Sequence, residues 1–278
     1  MDNVQQLFTP ELWQYVMLRP LIGGIAIAIC AALLGTTLVL RRYSMIGDGL
    51  SHVSFGALSV ALAAGWSPLK VSIPVVVLAA FFLLRLTENG KIRSDAAIAM
   101  ISASALAIGI IVTSLTTGMT TDVSSYMFGS ILAMSKEDVT LAAILSVIVL
   151  FLFLFCYNKV FAVTFDESFA KATGVNVGLY NALIAVLTAV TIVLGMRMMG
   201  AMLISSLIIF PSLTAMRIFK SFRGVIIVSG ILSVVCFFIG MTASYVYSTP
   251  AGASVVVVNL VFFLLFGAVQ FVRQGFKL

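Results

Sequence analysis

The chain contains a series of apolar segments, each of which is long enough to cross a lipid bilayer. A helical span needs about 17 to 25 predominantly apolar residues, and such segments recur from Leu18 towards the C-terminal end. We place nine of them, at 21–40, 44–64, 68–86, 95–116, 138–157, 178–196, 198–216, 224–247 and 252–272. Because backbone groups in hydrocarbon must be hydrogen-bonded within the segment, these stretches predict an all-α, polytopic transmembrane bundle.

The composition indicates a single membrane domain over residues 1–278. Hydrophobic residues make up 62% of the chain and charged residues only 9%, with a mean hydropathy of +1.18. A soluble domain has about 25% charged residues. We therefore expect a lipid bilayer as the surroundings and no nucleic-acid partner, although the net charge is +6.

The number of spans is predicted as eight or nine. The segments 178–196 and 198–216 could form one broken helix around Gly195–Gly200, which would remove one span. The polar loop at 117–137 could hold a short re-entrant piece.

The distribution of Lys and Arg predicts the orientation, because cytoplasmic connections retain basic residues. With the N-terminus outside, twelve of the 16 basic residues fall on the inside: Arg41, Arg42, Arg85, Lys91, Arg93, Lys159, Lys171, Arg217, Lys220, Arg223, Arg273 and Lys277. Only Arg19, Lys70, Lys136 and Arg197 fall outside. This bias favours an outside N-terminus, a cytoplasmic C-terminus and an odd number of spans.

Two ionisable residues, Asp48 and His52, lie inside the second predicted span, and His52 is the only histidine of the chain. Counted from Arg42 at a rise of 1.5 Å per residue, they lie about 9 Å and about 15 Å into the bilayer. An ionisable group at this depth faces a partner or a cavity and is a candidate functional residue. The i, i+4 spacing places both side chains on one helix face.

Three interpretations of this pair remain open from the residues alone. A carboxylate and an imidazole suit a divalent transition metal, but they also suit a proton relay or a neutral structural pair. Two ligands are too few for a selective metal site, and the other acidic residues fall at predicted membrane ends. A symmetric homodimer with its axis beside this helix would supply two copies of each ligand. An intramembrane metalloenzyme is disfavoured because no Glu lies within any span.

The sequence does not contain the phosphate-binding loop motif with which ATPases bind ATP. The fragment NGKIRSD lacks the first Gly and the Ser or Thr of that motif. A separate ATPase subunit could grip a short cytoplasmic helix at about 166–174, where Asp166 is a plausible N-cap, Glu167 favours the first turn and Gly174 ends the helix. The alternatives are an ordinary interfacial helix and an ion-coupled secondary carrier that needs no partner.

Four stretches of the sequence resemble the zinc/manganese family of ABC-importer permeases. LRRYSMIGDGLSHVSFGAL, at 40–58, is similar to the early family pattern LRR-x-S-L-M-G-D-x-L-S-H, from which it departs at Ile46. FDESFAKATGVNV, at 165–177, resembles the cytoplasmic coupling segment. YMFGSILAMS, at 126–135, and GAMLISSLIIFPSLTA, at 200–215, resemble an outer-loop motif and a late helix.

The resemblance implies a type II importer permease in the plasma membrane of a prokaryote. It implies a homodimer that works with cytoplasmic ATP-binding subunits and an extracytoplasmic metal-binding protein, and that is not itself an enzyme. Asp48 and His52 would lie on the metal path, with Pro211 as a helix break on it. The coupling residues would be Asp166, Glu167, Phe169, Ala170 and Gly174.

Under this interpretation no cofactor is permanently bound, and a divalent metal is the transported substrate. Imidazole ligation weakly favours zinc, with manganese or iron next. The alternative function is a secondary cation carrier in which Asp48 and His52 relay protons.

Overall fold

The computed structural model describes residues 18–88, 94–116, 129 and 136–275. Within these ranges the regular structure consists of helices, as predicted. They are α1 (Leu18–Leu40), α2 (Ile46–Ala63), α3 (Pro68–Glu88), α4 (Ser94–Thr116), α5 (Lys136–Phe155), α6 (Tyr157–Phe165), α7 (Glu167–Ala172), α8 (Val177–Met199), α9 (Ala201–Ile218), α10 (Phe222–Tyr247) and α11 (Ala251–Gly275).

Eight of the described helices are long and apolar enough to cross a membrane by themselves: α1, α2, α3, α4, α8, α9, α10 and α11. A ninth span arises if α5 and α6, which bend by 69° at Cys156, are counted as one broken crossing. The predicted all-α bundle of eight or nine spans is confirmed. The bend between α5 and α6 lies at Cys156, where the sequence predicted only the end of an ordinary span at 138–157.

The chain reverses direction between α8 and α9. Gly200 joins them with φ 88°, a left-handed conformation that favours glycine. A Cβ placed on Gly195 would lie 2.5 Å from the side chain of Ile204, so the two helices pack against each other on either side of the turn. The alternative of one broken helix in this region is therefore wrong. The proposed re-entrant piece lies outside the described residues, apart from Gly129.

Helices α1 and α2 form the centre of the bundle. Of the residues in their apolar windows 72% are buried, against 17% for α4 and 11% for α11. Glycines allow the backbones to approach closely, as is common between membrane helices. A Cβ on Gly35 of α1 would collide with the carbonyl group of Ile208 in α9, and a Cβ on Gly56 of α2 would lie 2.7 Å from the carbonyl oxygen of Ala105 in α4.

A short, hydrogen-bonded turn connects α1 to α2. Arg42 adopts a left-handed conformation with φ 62°, and the amide of Tyr43 donates to the carbonyl of Leu38 at 2.8 Å. The amide of Ile46 then donates to the carbonyl of Tyr43 at 3.0 Å, where α2 begins. This turn fixes the start of the helix that carries Asp48.

Candidate metal site and coupling segment

Asp48 and His52 meet on one face of α2. Nε2 of His52 lies 3.7 Å from Oδ2 of Asp48, as expected for the i, i+4 spacing. The imidazole is 15% exposed and the carboxylate 41% exposed, although α2 is otherwise mostly buried. The pair is therefore accessible from outside the packed core of the protomer.

A single chain offers few metal-ligating side chains at this position. Among the described residues, no group of three or more His, Cys, Asp or Glu side chains could hold a metal ion. Cys30, Cys156 and Cys236 are free thiols and form no part of such a cluster. The chain thus provides one carboxylate and one imidazole at this position, which is a mixed set of one oxygen and one nitrogen ligand type.

The nearby serine hydroxyls do not extend this pair. Oγ of Ser51 donates to the backbone carbonyl of Asp48 at 2.7 Å and is used within the helix. Ser54 is buried, and its hydroxyl has no hydrogen-bond partner within the described part of the chain. Six residues at 3.6 per turn place it about 120° around the helix from Asp48, so it faces a different neighbour.

The short helix predicted at about 166–174 is present as α7, and both of its ends form as the sequence indicates. A carboxylate oxygen of Asp166 accepts a hydrogen bond from the amide of Phe169 at 2.9 Å, which caps the N-terminus. At the other end, Gly174 has φ 80°. Its amide donates to the carbonyl of Lys171, and the amide of Val175 donates to that of Ala170. This is a Schellman termination.

The side chains of α7 differ in their exposure to the surroundings. Phe169 is exposed, whereas Ala170 is fully buried against the body of the protein. The apolar ring of Phe169 therefore projects from this surface and is available to a partner.

Sequence reasoning missed an ionic network that connects α7 to two transmembrane helices. The guanidinium of Arg41, which follows α1, forms an ion pair with the carboxylate of Glu167. Nη1 of Arg41 also donates to Oδ1 of Asn181 in α8 at 2.8 Å, and Nδ2 of Asn181 donates to the same carboxylate at 3.3 Å. Arg41 had indicated only the membrane interface, because the partners lie more than 100 residues away along the chain.

Pro211 does not end a helix. It is buried within α9, which continues from Ala201 to Ile218, so the predicted helix break is wrong. Proline is tolerated in packed membrane helices because neighbouring groups compensate for the lost hydrogen bond. Next to Pro211, Oγ of Ser212 lies 3.3 Å from the carbonyl oxygens of Ile208 and Ala32 and 3.2 Å from the hydroxyl of Thr36, so α9 is held against α1 at this turn. No observation links Pro211 to Asp48 or His52, and its position on the metal path stays a prediction.

The sequence is similar to one family of known proteins along most of its length. Residues 14–270 match the ABC 3 transport family. The chain is 27% identical to the high-affinity zinc uptake system membrane protein ZnuB of Haemophilus influenzae, over 90% of this chain and 96% of that protein. It is 29% identical to the manganese import system permease protein ScaB of Streptococcus gordonii, over 88% of each chain.

Solved structures share the fold. The PsaBC structure from Streptococcus pneumoniae, determined in complex with Fab, contains a chain that matches with a TM-score of 0.82 and 29% identity, covering 95% of this chain and 94% of that one. An inward-facing ABC transporter of the metal-chelate type matches with a TM-score of 0.73 and 16% identity, over 97% and 90% of the two chains. The second likeness concerns the fold alone.

Proposed function

Because this chain belongs to the ABC 3 transport family, we propose that it is the membrane permease subunit of an ATP-driven importer for a divalent transition-metal ion. The observation that carries the proposal is the Asp48 and His52 pair, which lies within a membrane-spanning helix and is open to further ligands. Intramembrane ionisable residues are costly and are retained where they serve transport. The similarity to ZnuB, a zinc uptake protein, and to ScaB, a manganese import permease, supports the same class of substrate.

The metal site is completed by a second copy of the chain. One protomer offers two ligands, and a two-fold axis beside α2 would bring two carboxylates and two imidazoles together around a central path. The partial exposure of the carboxylate of Asp48 is consistent with an additional ligand from a partner. Such a site binds a metal transiently, which suits transport because a closed cage would not release its ion.

Zinc is the preferred substrate, with manganese or iron next. Imidazole favours zinc over the harder cations, and four mixed ligands suit its tetrahedral coordination. The carboxylates alone would accept manganese as well, so geometry and the delivering protein contribute to selectivity.

The remaining components of the importer act on opposite sides of the membrane. A cytoplasmic ATP-binding subunit grips α7, where the exposed ring of Phe169 gives it an apolar anchor and Asp166 and Gly174 fix the ends of the helix. An extracytoplasmic binding protein delivers the metal to the outer face. The N-terminus lies outside and the C-terminus in the cytoplasm of a prokaryotic cell, as the basic residues predict.

The test replaces the ligands and measures metal in cells that lack their own importer. Asp48→Ala and His52→Ala are each expected to abolish the uptake that the wild-type importer provides, because either change leaves too few ligands. Asp95→Ala is the control, since it removes an exposed carboxylate in the first turn of α4 that is not one of the proposed ligands. Zinc, manganese and iron are measured by mass spectrometry at equal membrane expression, and unchanged uptake in both ligand variants would exclude this site.

The alternative, a secondary carrier with a proton relay, makes a different prediction. Nε2 of His52 and Oδ2 of Asp48 are 3.7 Å apart, which exceeds hydrogen-bond length, so a relay between them would need a bridging water. For the proposed ATP-driven importer, purified permease in liposomes is expected to transport metal only when the ATP-binding subunit and ATP are present. Transport driven by a proton gradient, without that subunit, would favour the carrier.

A further inference from the structure

The three-way contact among Arg41, Glu167 and Asn181 joins parts of the protein that have different roles. Glu167 is in the first turn of α7, Asn181 is buried on α8, and Arg41 is the first residue after α1. The Arg41 side chain is only 9% exposed, whereas that of Glu167 is 46% exposed. A nearly buried cation thus has its carboxylate partner on the segment that a cytoplasmic subunit would touch.

A continuous hydrogen-bonded backbone leads from Arg41 to Asp48. The amide of Arg41 donates to the carbonyl of Thr37, which makes the residue an extension of α1. The contact between Tyr43 and Leu38 then closes the turn, and the amide of Gly49 donates to the carbonyl of Met45 in the first turn of α2. Asp48 is only seven positions after Arg41 in the chain, and the stretch between them contains no long loop that could absorb a displacement.

The ring of Tyr43 restrains the same guanidinium from another side. The Cζ atom of Arg41 lies 5.7 Å from the centroid of this ring, within the range of a cation–π contact. Arg41 therefore touches α7, α8 and the turn before α2 at once. A shift of Glu167 must either move this turn or break the ion pair, and breaking the pair leaves a poorly solvated cation.

We propose that Arg41 is a positioning residue that transmits movement of α7 to the metal-binding helix α2. When the cytoplasmic subunit displaces α7, the pull on Glu167 is passed through the guanidinium to the α1–α2 turn, and from there to Asp48 and His52. The inference rests on the proposed function, because it takes α7 as the point where the ATPase acts and α2 as the helix that holds the metal.

The experiment measures coupling in the complete importer, with ATP-binding subunit and binding protein, in liposomes. Arg41→Gln is expected to assemble, to bind metal and to hydrolyse ATP, but to import at least about fivefold less metal per ATP, which is the lower range of typical coupling effects. Arg42→Gln is the matched control, because it removes the adjacent exposed cation and should leave this ratio unchanged.

Two further variants separate transmission from simple stabilisation. Glu167→Gln removes the charge from the more exposed residue of the ion pair but keeps a hydrogen-bonding group there. It is expected to lower the metal imported per ATP, and it can be measured even if Arg41→Gln is too unstable to purify. The exchange Arg41→Glu with Glu167→Arg is expected to recover part of the coupling that either single reversal loses. A stability defect alone would reduce the amount of complex without changing metal per ATP.

The experiment distinguishes an absent transmitting role of Arg41 from a wrong proposed function. If the wild-type importer moves metal and Arg41→Gln and Glu167→Gln both keep the wild-type ratio, Arg41 has no transmitting role. If the wild-type importer moves no metal, the function itself is wrong and the coupling ratio cannot be measured.

Discussion

At the scale of single residues, Asp48 and His52 make different contributions to the proposed metal site. A carboxylate oxygen binds hard and borderline cations alike, whereas an imidazole nitrogen favours zinc over manganese. The two side chains are 3.7 Å apart at their nearest polar atoms, so both can face one ion without a rearrangement of α2. The proposed preference for zinc then rests mainly on His52.

Replacing His52 with Asp tests this division of roles. The variant site would contain only oxygen ligands, so we expect the ratio of zinc to manganese uptake to fall by about tenfold or more, following the ligand preferences of the two metals. The measurement is competitive uptake from a mixture of both ions into cells with equal expression. Ser59→Ala, which alters a buried hydroxyl on the same helix, is the control. An unchanged ratio would assign the selectivity to the binding protein.

The sequence could predict the Asp48 and His52 pair because the contact is local. Four residues of a helix bring two side chains together wherever that helix lies. The network of Arg41, Glu167 and Asn181 depends on how α1, α7 and α8 pack, and its members are separated by up to 140 residues. A single sequence does not show how these helices pack. In addition, the position of Arg41 at the end of a predicted span was already explained by the excess of Lys and Arg in cytoplasmic connections.

At the scale of elements, α7 is defined by its two ends. It has only six residues, too few for a stable isolated helix, and depends on the Asp166 cap and on the left-handed Gly174. Both ends have strong local signals, which is why the sequence predicted this helix correctly. The course of α9 through Pro211 was not predictable in the same way, because it depends on α1 packed beside it.

Gly174→Ala is expected to loosen α7 through backbone strain alone. No atom lies within 4 Å of the added Cβ, so the cost of about 1 kcal/mol comes from φ 80°. Hydrogen exchange at the amides of residues 169–175 should accelerate about fivefold, which is the equivalent of that free energy. Gly178→Ala is the control, because its Cβ meets nothing closer than 3.6 Å and its φ is not in the left-handed region. Equal exchange in the two variants would contradict this explanation.

The contact between α2 and α4 is expected to depend on Gly56. A methyl group there would lie 2.7 Å from the carbonyl oxygen of Ala105, and because backbone cannot rotate away, the helices would separate. Overpacking of this kind costs about 1–3 kcal/mol. We therefore expect Gly56→Ala to lower the melting temperature of the detergent-purified protein and to reduce metal uptake, since α2 carries both ligands.

Gly230→Ala provides the matched control for this helix contact. The added Cβ on α10 has no atom within 4 Å, so the melting temperature should stay the same or rise slightly through higher helix propensity. A similar loss of stability in both variants would mean that the effect is not specific to the α2–α4 contact.

At the scale of the whole molecule, the structure is a bundle whose most buried helices, α1 and α2, carry the site, the turn before it and the contact to α7. The outer helices α4 and α11 expose most of their apolar surface, as lipid-facing spans do. Hydropathy was sufficient to predict this architecture because the length of a span is set by the bilayer. It could not predict which helices are central, since the spans of α1 and α4 have nearly the same mean hydropathy, 2.3 and 2.2, and differ chiefly in their neighbours.

The proposed sharing of the metal site between two protomers gives the last prediction. Wild-type permease with one affinity tag is produced together with an Asp48→Ala, His52→Ala double variant that carries another, and two successive purifications isolate the mixed dimer. If four ligands from two chains form one site, the mixed importer retains only two ligands, and its ATP-driven metal uptake should fall well below half that of a wild-type dimer with the same two tags. If each protomer instead carried an independent site, uptake would be about one half. Because separate transport routes contribute additively, a value near one half would contradict the shared site and require ligands that neither Asp48 nor His52 supplies.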